Sequence, residues 1–281
     1  DILGAQNNIN VHGESVQKLD ALANSTFIAI FRQSIYCAGM VSEENEDIIF
    51  FDDVKNNQSK YVVLIDPLDG SGNINSSMPI GTIFSIFRRV SELGKPCTLQ
   101  DFLQKGDHQF AAGYVLYGSS TIFVYGTKRH SVNGFTLDNS VGEFFLSHPQ
   151  MKLPPHSTIY SFDYRYYHLV DERVRKFLDN CNSIQEHAEG SYSNKTSGCM
   201  VADMHRIFLN GGIFIYPGRA SKPKGKLRLM YECNPFAFLT ELAGGIATNG
   251  EIRILDIIPQ NIHERSPIFI GSKEMMSSLS V

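Results

Sequence analysis

Tyr61-Val62-Val63-Leu64-Ile65-Asp66-Pro67-Leu68-Asp69-Gly70-Ser71 is the stretch on which the reading of this 281-residue chain turns. Its first five residues form an apolar, β-branched run that reads as a buried strand. Pro67 and Gly70 then end the run in a tight turn. Two carboxylates, Asp66 and Asp69, and the backbone carbonyl of Leu68 are thereby exposed together at a strand's C-terminal end, where open α/β sheets place their sites. Hard oxygen ligands of this kind suit Mg²⁺ or Mn²⁺. The amides of Gly70 and Ser71 can point at a phosphate oxygen, as helix N-termini and nests do. The plainer alternative is an acidic turn in which Asp69 caps a helix.

Two further segments carry the same signature. Ser42-Glu43-Glu44 follows the apolar stretch from Ile35 to Val41. Adjacent carboxylates at a strand end repel each other unless a cation or solvent separates them. In Lys226-Leu227-Arg228-Leu229-Met230-Tyr231-Glu232-Cys233-Asn234-Pro235, the alternation of Leu227, Leu229 and Tyr231 predicts a strand. Asn234 and Pro235 suit the N-cap and first position of a helix that runs through Ala243 and closes on Gly244-Gly245. Glu232 is thus expected at another strand end, with Arg228 close by. Several carboxylates plus a guanidinium equip a site for metal-assisted phosphoester hydrolysis.

Ser42-Glu43-Glu44, Lys60-Tyr61-Val62-Val63, Asp66 to Ser71, Val201-Ala202-Asp203-Met204-His205-Arg206 and Lys226 to Pro235 together resemble class I fructose-1,6-bisphosphatase. The likeness runs from Asp1-Ile2-Leu3-Gly4 through Ile254-Leu255-Asp256-Ile257-Ile258-Pro259. The aspartate motif alone would indicate only the wider superfamily of metal-dependent, lithium-sensitive sugar and inositol phosphatases.

The rest of the chain bounds the reading. Its 42% apolar and 19% charged residues are ordinary for a soluble globular protein, and its length allows one large or two closely packed domains. A formal net charge of −4 argues against nucleic acid or an anionic membrane as the main partner. No apolar run approaches the ~18 residues of a membrane span, and no signal-peptide pattern is present. Five scattered cysteines without CxxC spacing read as reduced thiols in a cytoplasmic protein. A helix is expected from Ser15, its N-cap, to Phe31. Strands are expected at 81–90, 109–118, 121–126 and 142–148, then at 158–162, 212–216, 227–231 and 267–271, and a helix is marked by Val170, Val174, Phe177 and Leu178. Pro154-Pro155 lies in the best boundary candidate, 151–157. The elements favour an α/β (α+β) layered sandwich of two closely packed subdomains, 1–150 carrying most metal ligands and 151–281 binding the sugar phosphate.

The resemblance implies two or three Mg²⁺ ions, or Mn²⁺, per subunit, held by Glu43, Glu44, Asp66, the Leu68 carbonyl, Asp69 and Glu232. It implies that Glu44, helped by Asp20, activates a water, and that Arg228 with the Gly70 and Ser71 amides holds the transferring phosphoryl group. Tyr166, Met200, Tyr216 and Lys226 match the family's sugar-phosphate contacts. A tetramer built from dimers is also implied. The second-phosphate grip departs from the family: Asp163 stands where an amide is usual, and its charge would repel a phosphate. Lys195-Thr196 replaces an Arg-Tyr pair, and lysine keeps the charge without the bidentate fork; the family's arginine comes from a neighbouring subunit, which would place Lys195 in trans. Lys60, Tyr61 and Arg88 match part of an AMP pocket whose other part lies upstream in the family, so a poor AMP response is expected. Three readings stay open: a Mg²⁺-dependent fructose 1,6-bisphosphatase, a phosphatase for another sugar or inositol phosphate, and a weakly active homologue kept as a binding or regulatory subunit.

Overall fold

The structure, a computed structural model, describes residues 5–9, 15–183 and 191–279. Asp1-Ile2-Leu3-Gly4, where the family likeness begins, lies outside the described residues. The first half supplies strands β1 (Ala5–Ile9) and β2 (Ser15–Gln17), helix α1 (Lys18–Gln33), β3 (Cys37–Ser42), β4 (Ile49–Phe50), the single turn α2 (Val54–Asn57) and β5 (Tyr61–Asp69). β6 (Ile80–Arg88), α3 (Leu99–Phe102), β7 (Gln109–Tyr117), β8 (Thr121–Thr127), β9 (His130–Asp138) and β10 (Glu143–His148) follow. The second half supplies β11 (Ile159–Ser161), α4 (Glu172–Ser183), β12 (Ser193–Asn194), α5 (Met200–Asn210), β13 (Ile213–Tyr216), α6 (Asn234–Leu242), β14 (Ile246–Thr248), β15 (Ile268–Gly271) and α7 (Lys273–Ser278).

Apart from the β1–β2 ribbon, the strands form two sheets. One has eight strands in the order β10-β9-β8-β7-β6-β5-β3-β4; the other has five, in the order β12-β11-β13-β15-β14. Side-chain alternation fixes what each face meets. On β5, Val62 and Leu64 enter one core while Val63 and Ile65 enter another with Phe27, Ile28 and Phe31 of α1. On β13, Phe214 faces the first core, whereas Ile213 and Ile215 meet Val174, Phe177 and Leu178 of α4 and Met275 and Met276 of α7. α5 packs against β6 and β7 on one side and β11 and β13 on the other, and α6 packs similarly between the two sheets. The layers therefore run α1, large sheet, α5 with α6, small sheet, α4 with α7.

Several sequence expectations need correction. Helix α1 begins at Lys18, because Ser15–Gln17 pairs as a strand with β1, so Ser15 is not its cap. β9 was not expected; its polar residues and Gly134 hide a strand that pairs with β8 and β10. Val170 precedes α4 rather than belonging to it. The expected strand at 227–231 is instead a buried π-helical turn, Leu229–Cys233, that runs straight into α6 with Asn234 already in helical conformation. Consequently Asn234 is no N-cap.

The central helical layer contains one titratable pair with a consequence for stability. Tyr114, fully buried, bonds through its hydroxyl to Nδ1 of His205 at 2.9 Å. Burial, with His148 adding to it, pushes the His205 pKa down to about 4. The unfolded chain then binds a proton near pH 6.5 that the folded chain refuses until about pH 4. Stability is full above pH 6.5 and falls as pH drops through this window, by roughly 3 kcal/mol in total. Urea unfolding of wild type and His205→Asn at pH 7 and pH 5 is expected to show a clearly smaller pH loss in the variant; equal losses would remove His205 from the account.

Candidate active site

The site follows from one parallel pair. β3 and β5 run side by side in the same direction, with Ser42 opposite Ile65, so their C-terminal ends deliver Glu43 and Asp66 together. The Glu43 amide donates to the Ile65 carbonyl at 3.1 Å, fixing this meeting. Asp66 accepts the Leu68 amide at 3.0 Å and turns the chain at Pro67. A break in the β5–β6 register between Asp66 and Asp69 lets both carboxylates reach one pocket.

Gly70 has φ +77°, and a Cβ there would lie 2.7 Å from Cβ of Cys199. A side chain is excluded both by backbone conformation and by the start of α5. Gly70→Ala is expected to cost at least roughly 1–2 kcal/mol from the left-handed backbone alone, read as a lower denaturation midpoint; an unchanged midpoint would show that α5 is not seated on this turn. Asp69 explains the seating: its Oδ2 accepts the Val201 amide at 2.7 Å and the Cys199 thiol at 3.0 Å. The plainer sequence reading of Asp69 as a helix cap is thus realised, though on a helix 130 residues away in the chain.

The π-helical turn brings in the remaining groups. Glu232 folds back so that its Oε2 accepts the Arg228 amide at 2.6 Å. The Arg228 guanidinium then lies 2.9 Å from Glu43 and 3.9 Å from Glu232, with both ends of each pair buried. Burial, then the charges of Glu43, Asp69 and Glu232, hold Asp66 well above the ordinary carboxylate range. Burial, then Glu43, pushes Glu232 up to about 8 against the opposing pull of Arg228. Asp69 is pushed up to about 6 by burial, against its bonds from Cys199 and Val201. A cluster of oxygen donors that repel one another out of water is the electrostatic environment a hard divalent cation satisfies. Among the described residues no three acidic, His or Cys side chains are gathered at metal-holding distance. Arg228 provides the positive charge between Glu43 and Glu232.

A pocket of about 510 Å³ collects nearly all the residues singled out from the sequence. Asp20, Glu43, Glu44, Asp66, Leu68, Asp69, Gly70, Ser71, Arg228 and Glu232 line it, as do Asp163, Tyr166, Met200, Tyr216 and Lys226. Lys195 does not: its side chain is exposed, and its carbonyl accepts from Arg206 at 2.9 Å. The expectation for Asp163 also changes. Its carboxylate takes both the Arg165 amide, at 3.0 Å, and the Arg165 guanidinium, at 2.9 Å, so its charge does not stand bare toward the pocket.

Two positioning groups escaped the sequence reading. Asn24 accepts from the Ser42 hydroxyl at 2.7 Å and donates to Asn45 at 2.8 Å, bracing the Glu43-Glu44 turn against α1. Its signal was its spacing: four residues after Asp20, hence on the same helix face. His263 bonds through Nδ1 to the Tyr231 hydroxyl at 2.9 Å and through Nε2 to the Glu46 carbonyl at 3.0 Å. A carbonyl only accepts, so Nε2 donates to Glu46. This bridge ties the turn holding Glu232 to the loop after Glu44.

Comparisons with known proteins match nearly the whole chain. The family described as Fructose-1-6-bisphosphatase, N-terminal domain, matches residues 1–149, and that described as Fructose-1-6-bisphosphatase, C-terminal domain, matches 153–281. Fructose-1,6-bisphosphatase class 1 of Cytophaga hutchinsonii is 51% identical over 279 residues, covering 99% of this chain and 80% of the relative. The protein of the same name from Chloroherpeton thalassium is 52% identical over 274 residues, covering 98% and 78%. The crystal structure of Leishmania major fructose-1,6-bisphosphatase in holo form superposes with a TM-score of 0.91 at 34% identity, covering 99% of this chain and 85% of that one. Two family models that together span nearly the whole chain, with relatives at 51% and 52% identity, show that the chain belongs to the class 1 fructose-1,6-bisphosphatase family.

Proposed function

We propose that this pocket hydrolyses the 1-phosphate of fructose 1,6-bisphosphate, giving fructose 6-phosphate and phosphate. The observation that carries the proposal is the joining, in one pocket, of a buried carboxylate cluster around Arg228 with a cationic and aromatic cluster around Tyr166, Tyr216 and Lys226. A sugar carrying two phosphates needs both.

Glu43, Glu44, Asp66, the Leu68 carbonyl, Asp69 and Glu232 are the groups that would hold two or three Mg²⁺ ions, and oxygen ligands of this kind also suit Mn²⁺. Such cations, when bound, polarise phosphoryl oxygens and lower the pKa of water. Glu44 takes the proton from the attacking water, with Asp20, buried in the first turn of α1, orienting it. Arg228 and the amides of Gly70 and Ser71 hold the phosphoryl oxygens as charge spreads over them. Tyr166, Met200, Tyr216 and Lys226 orient the sugar and its second phosphate, and Asp163 acts through Arg165. Lys195 reaches only a neighbouring subunit's pocket in this reading. A homotetramer, a cytoplasmic location and a role in gluconeogenesis rest on family membership; no described helix is long and apolar enough to cross a membrane.

The test is phosphate release from a panel of sugar and inositol phosphates, with Mg²⁺, with Mn²⁺ and with chelator. Metal-dependent release preferring fructose 1,6-bisphosphate is expected. Preference for another phosphate would move the assignment within the superfamily, and no release from any substrate would leave a binding subunit.

A further inference from the structure

Arg219 sits just past the end of β13, three residues after Tyr216. Its amide donates to the Lys222 carbonyl at 3.1 Å and its carbonyl accepts the Lys222 amide at 2.8 Å, closing a tight turn. Its guanidinium carbon lies 4.0 Å from the centroid of the Tyr166 ring, well within cation–π range. Tyr166, Tyr216 and Asp163 line the site pocket, and the charge of Arg219 is felt at both Asp163 and Tyr216. On its other side Arg219 borders a second, open groove with Arg173, Lys224 and Arg265. It therefore stands at the rim of the cationic cluster, held by a turn beneath it and a ring beside it.

The neighbouring cations are committed differently. Arg165 is tied to Asp163 through its guanidinium and its backbone amide. Lys195 lies outside this chain's pocket. A phosphate dianion arriving beside Tyr166 and Tyr216 needs a cation with fixed geometry, and a stacked guanidinium offers a planar, preorganised fork.

We infer that Arg219, stacked on Tyr166, is a specificity-determining residue that grips the substrate's second phosphate from within the same subunit. The inference rests on the bisphosphatase reading and adds a guanidinium to the grip in which Lys226 takes part. Arg219 touches nothing in the carboxylate cluster, so it acts on binding and not on the chemical step. The Asp163–Arg165 pair flanks it: Arg165, tied to Asp163, lies 5.7 Å from the Tyr166 ring centroid, against 4.0 Å for Arg219.

The experiment is calorimetric titration of fructose 6-phosphate and of unphosphorylated fructose into chelator-treated protein, alongside steady-state kinetics with fructose 1,6-bisphosphate and Mg²⁺. Arg219→Ala is expected to raise the Kd for fructose 6-phosphate and the KM for the bisphosphate roughly 10- to 100-fold, the scale of a lost charge-assisted hydrogen bond, with kcat within about twofold. Arg219→Lys is expected to recover part of the loss. Unchanged binding in Arg219→Ala, or a loss confined to Lys195→Ala, would overturn the assignment in favour of a cation from a neighbouring subunit. A loss of binding equal for fructose and its phosphate would also overturn it. Wild-type protein that neither binds fructose 6-phosphate nor releases phosphate sinks the bisphosphatase reading, and this inference with it.

Discussion

Asp66→Asn is expected to abolish metal-dependent phosphate release while the protein stays folded. Asp66 lies in the last third of β5, 2% exposed, and burial, then Glu43, Asp69 and Glu232, raises its pKa. Without a bound cation its charge is a liability, so the amide is expected to leave thermal stability unchanged or slightly higher in chelator. With Mg²⁺ the sign reverses. The wild type is expected to gain stability with the logarithm of Mg²⁺ concentration above its Kd, and the variant is not. Lewis-acid assistance supplies several kcal/mol to such reactions, so the expected fall in kcat/KM is on the order of 1,000-fold. Glu232→Gln should behave alike, because its side-chain oxygen can still accept the Arg228 amide. Parallel Mg²⁺ titrations of melting temperature and of phosphate release decide the matter. Full activity in either variant, or an undiminished Mg²⁺-induced rise in melting temperature, would refute the metal-holding role.

Arg228→Met strikes the same cluster from the opposite side. Arg228 is the cation 2.9 Å from Glu43 and 3.9 Å from Glu232, and it is almost wholly buried. Removing one partner of such a group leaves buried charge without compensation, a loss of about 3–5 kcal/mol. In chelator the variant is therefore expected to melt well below the wild type. Mg²⁺ should restore part of the stability by supplying positive charge, yet activity should stay at least about 100-fold down if, as proposed, the guanidinium also holds the phosphoryl oxygens. Arg228→Lys keeps the charge and loses the fork, so it should fold near normally and remain slow. Chemical denaturation with and without Mg²⁺, paired with kcat, separates the two roles. A Met variant of ordinary stability in chelator would mean that the carboxylates do not rely on Arg228.

The acidic end of this site was legible because two parallel strands write it in contiguous stretches. Val62 to Ile65 and the residues before Ser42 are apolar runs, and each stops abruptly at carboxylates. The helical pattern of α1 likewise carried Asp20, although strand pairing of Ser15–Gln17 took the first turn. The segment around Glu232 misled for a physical reason. Leu229, Met230, Tyr231 and Cys233 are all buried, so no face is solvent-exposed and periodicity carries no information. Its π-helical conformation depends on Glu232 reaching back to the Arg228 amide, a bond that no residue pattern announces. The cationic end was misread more deeply. Asp163 reads as a repulsive charge because its pairing with Arg165, two residues on, is a matter of side-chain geometry that no residue pattern announces. Arg219 went unnoticed because stacking on Tyr166 joins residues 53 positions apart. β9 escaped because pairing on both sides outweighs the low strand propensity of its polar residues and glycine.

The helices between the two sheets also govern how the molecule comes apart. Phe236, Ala237 and Leu239 of α6 are completely buried, walled by β6 to β9 on one side and by β14 and β15 on the other. Their backbone amides can meet deuterium only when both walls separate, so residues 236–242 should be among the last to exchange, with a protection free energy equal to that of global unfolding. A fragment ending near residue 150 would leave the inner face of the large sheet, including Tyr114 and Val124, without its cover. Such a fragment should aggregate when expressed alone and regain order only when residues 151–281 are supplied as a second piece.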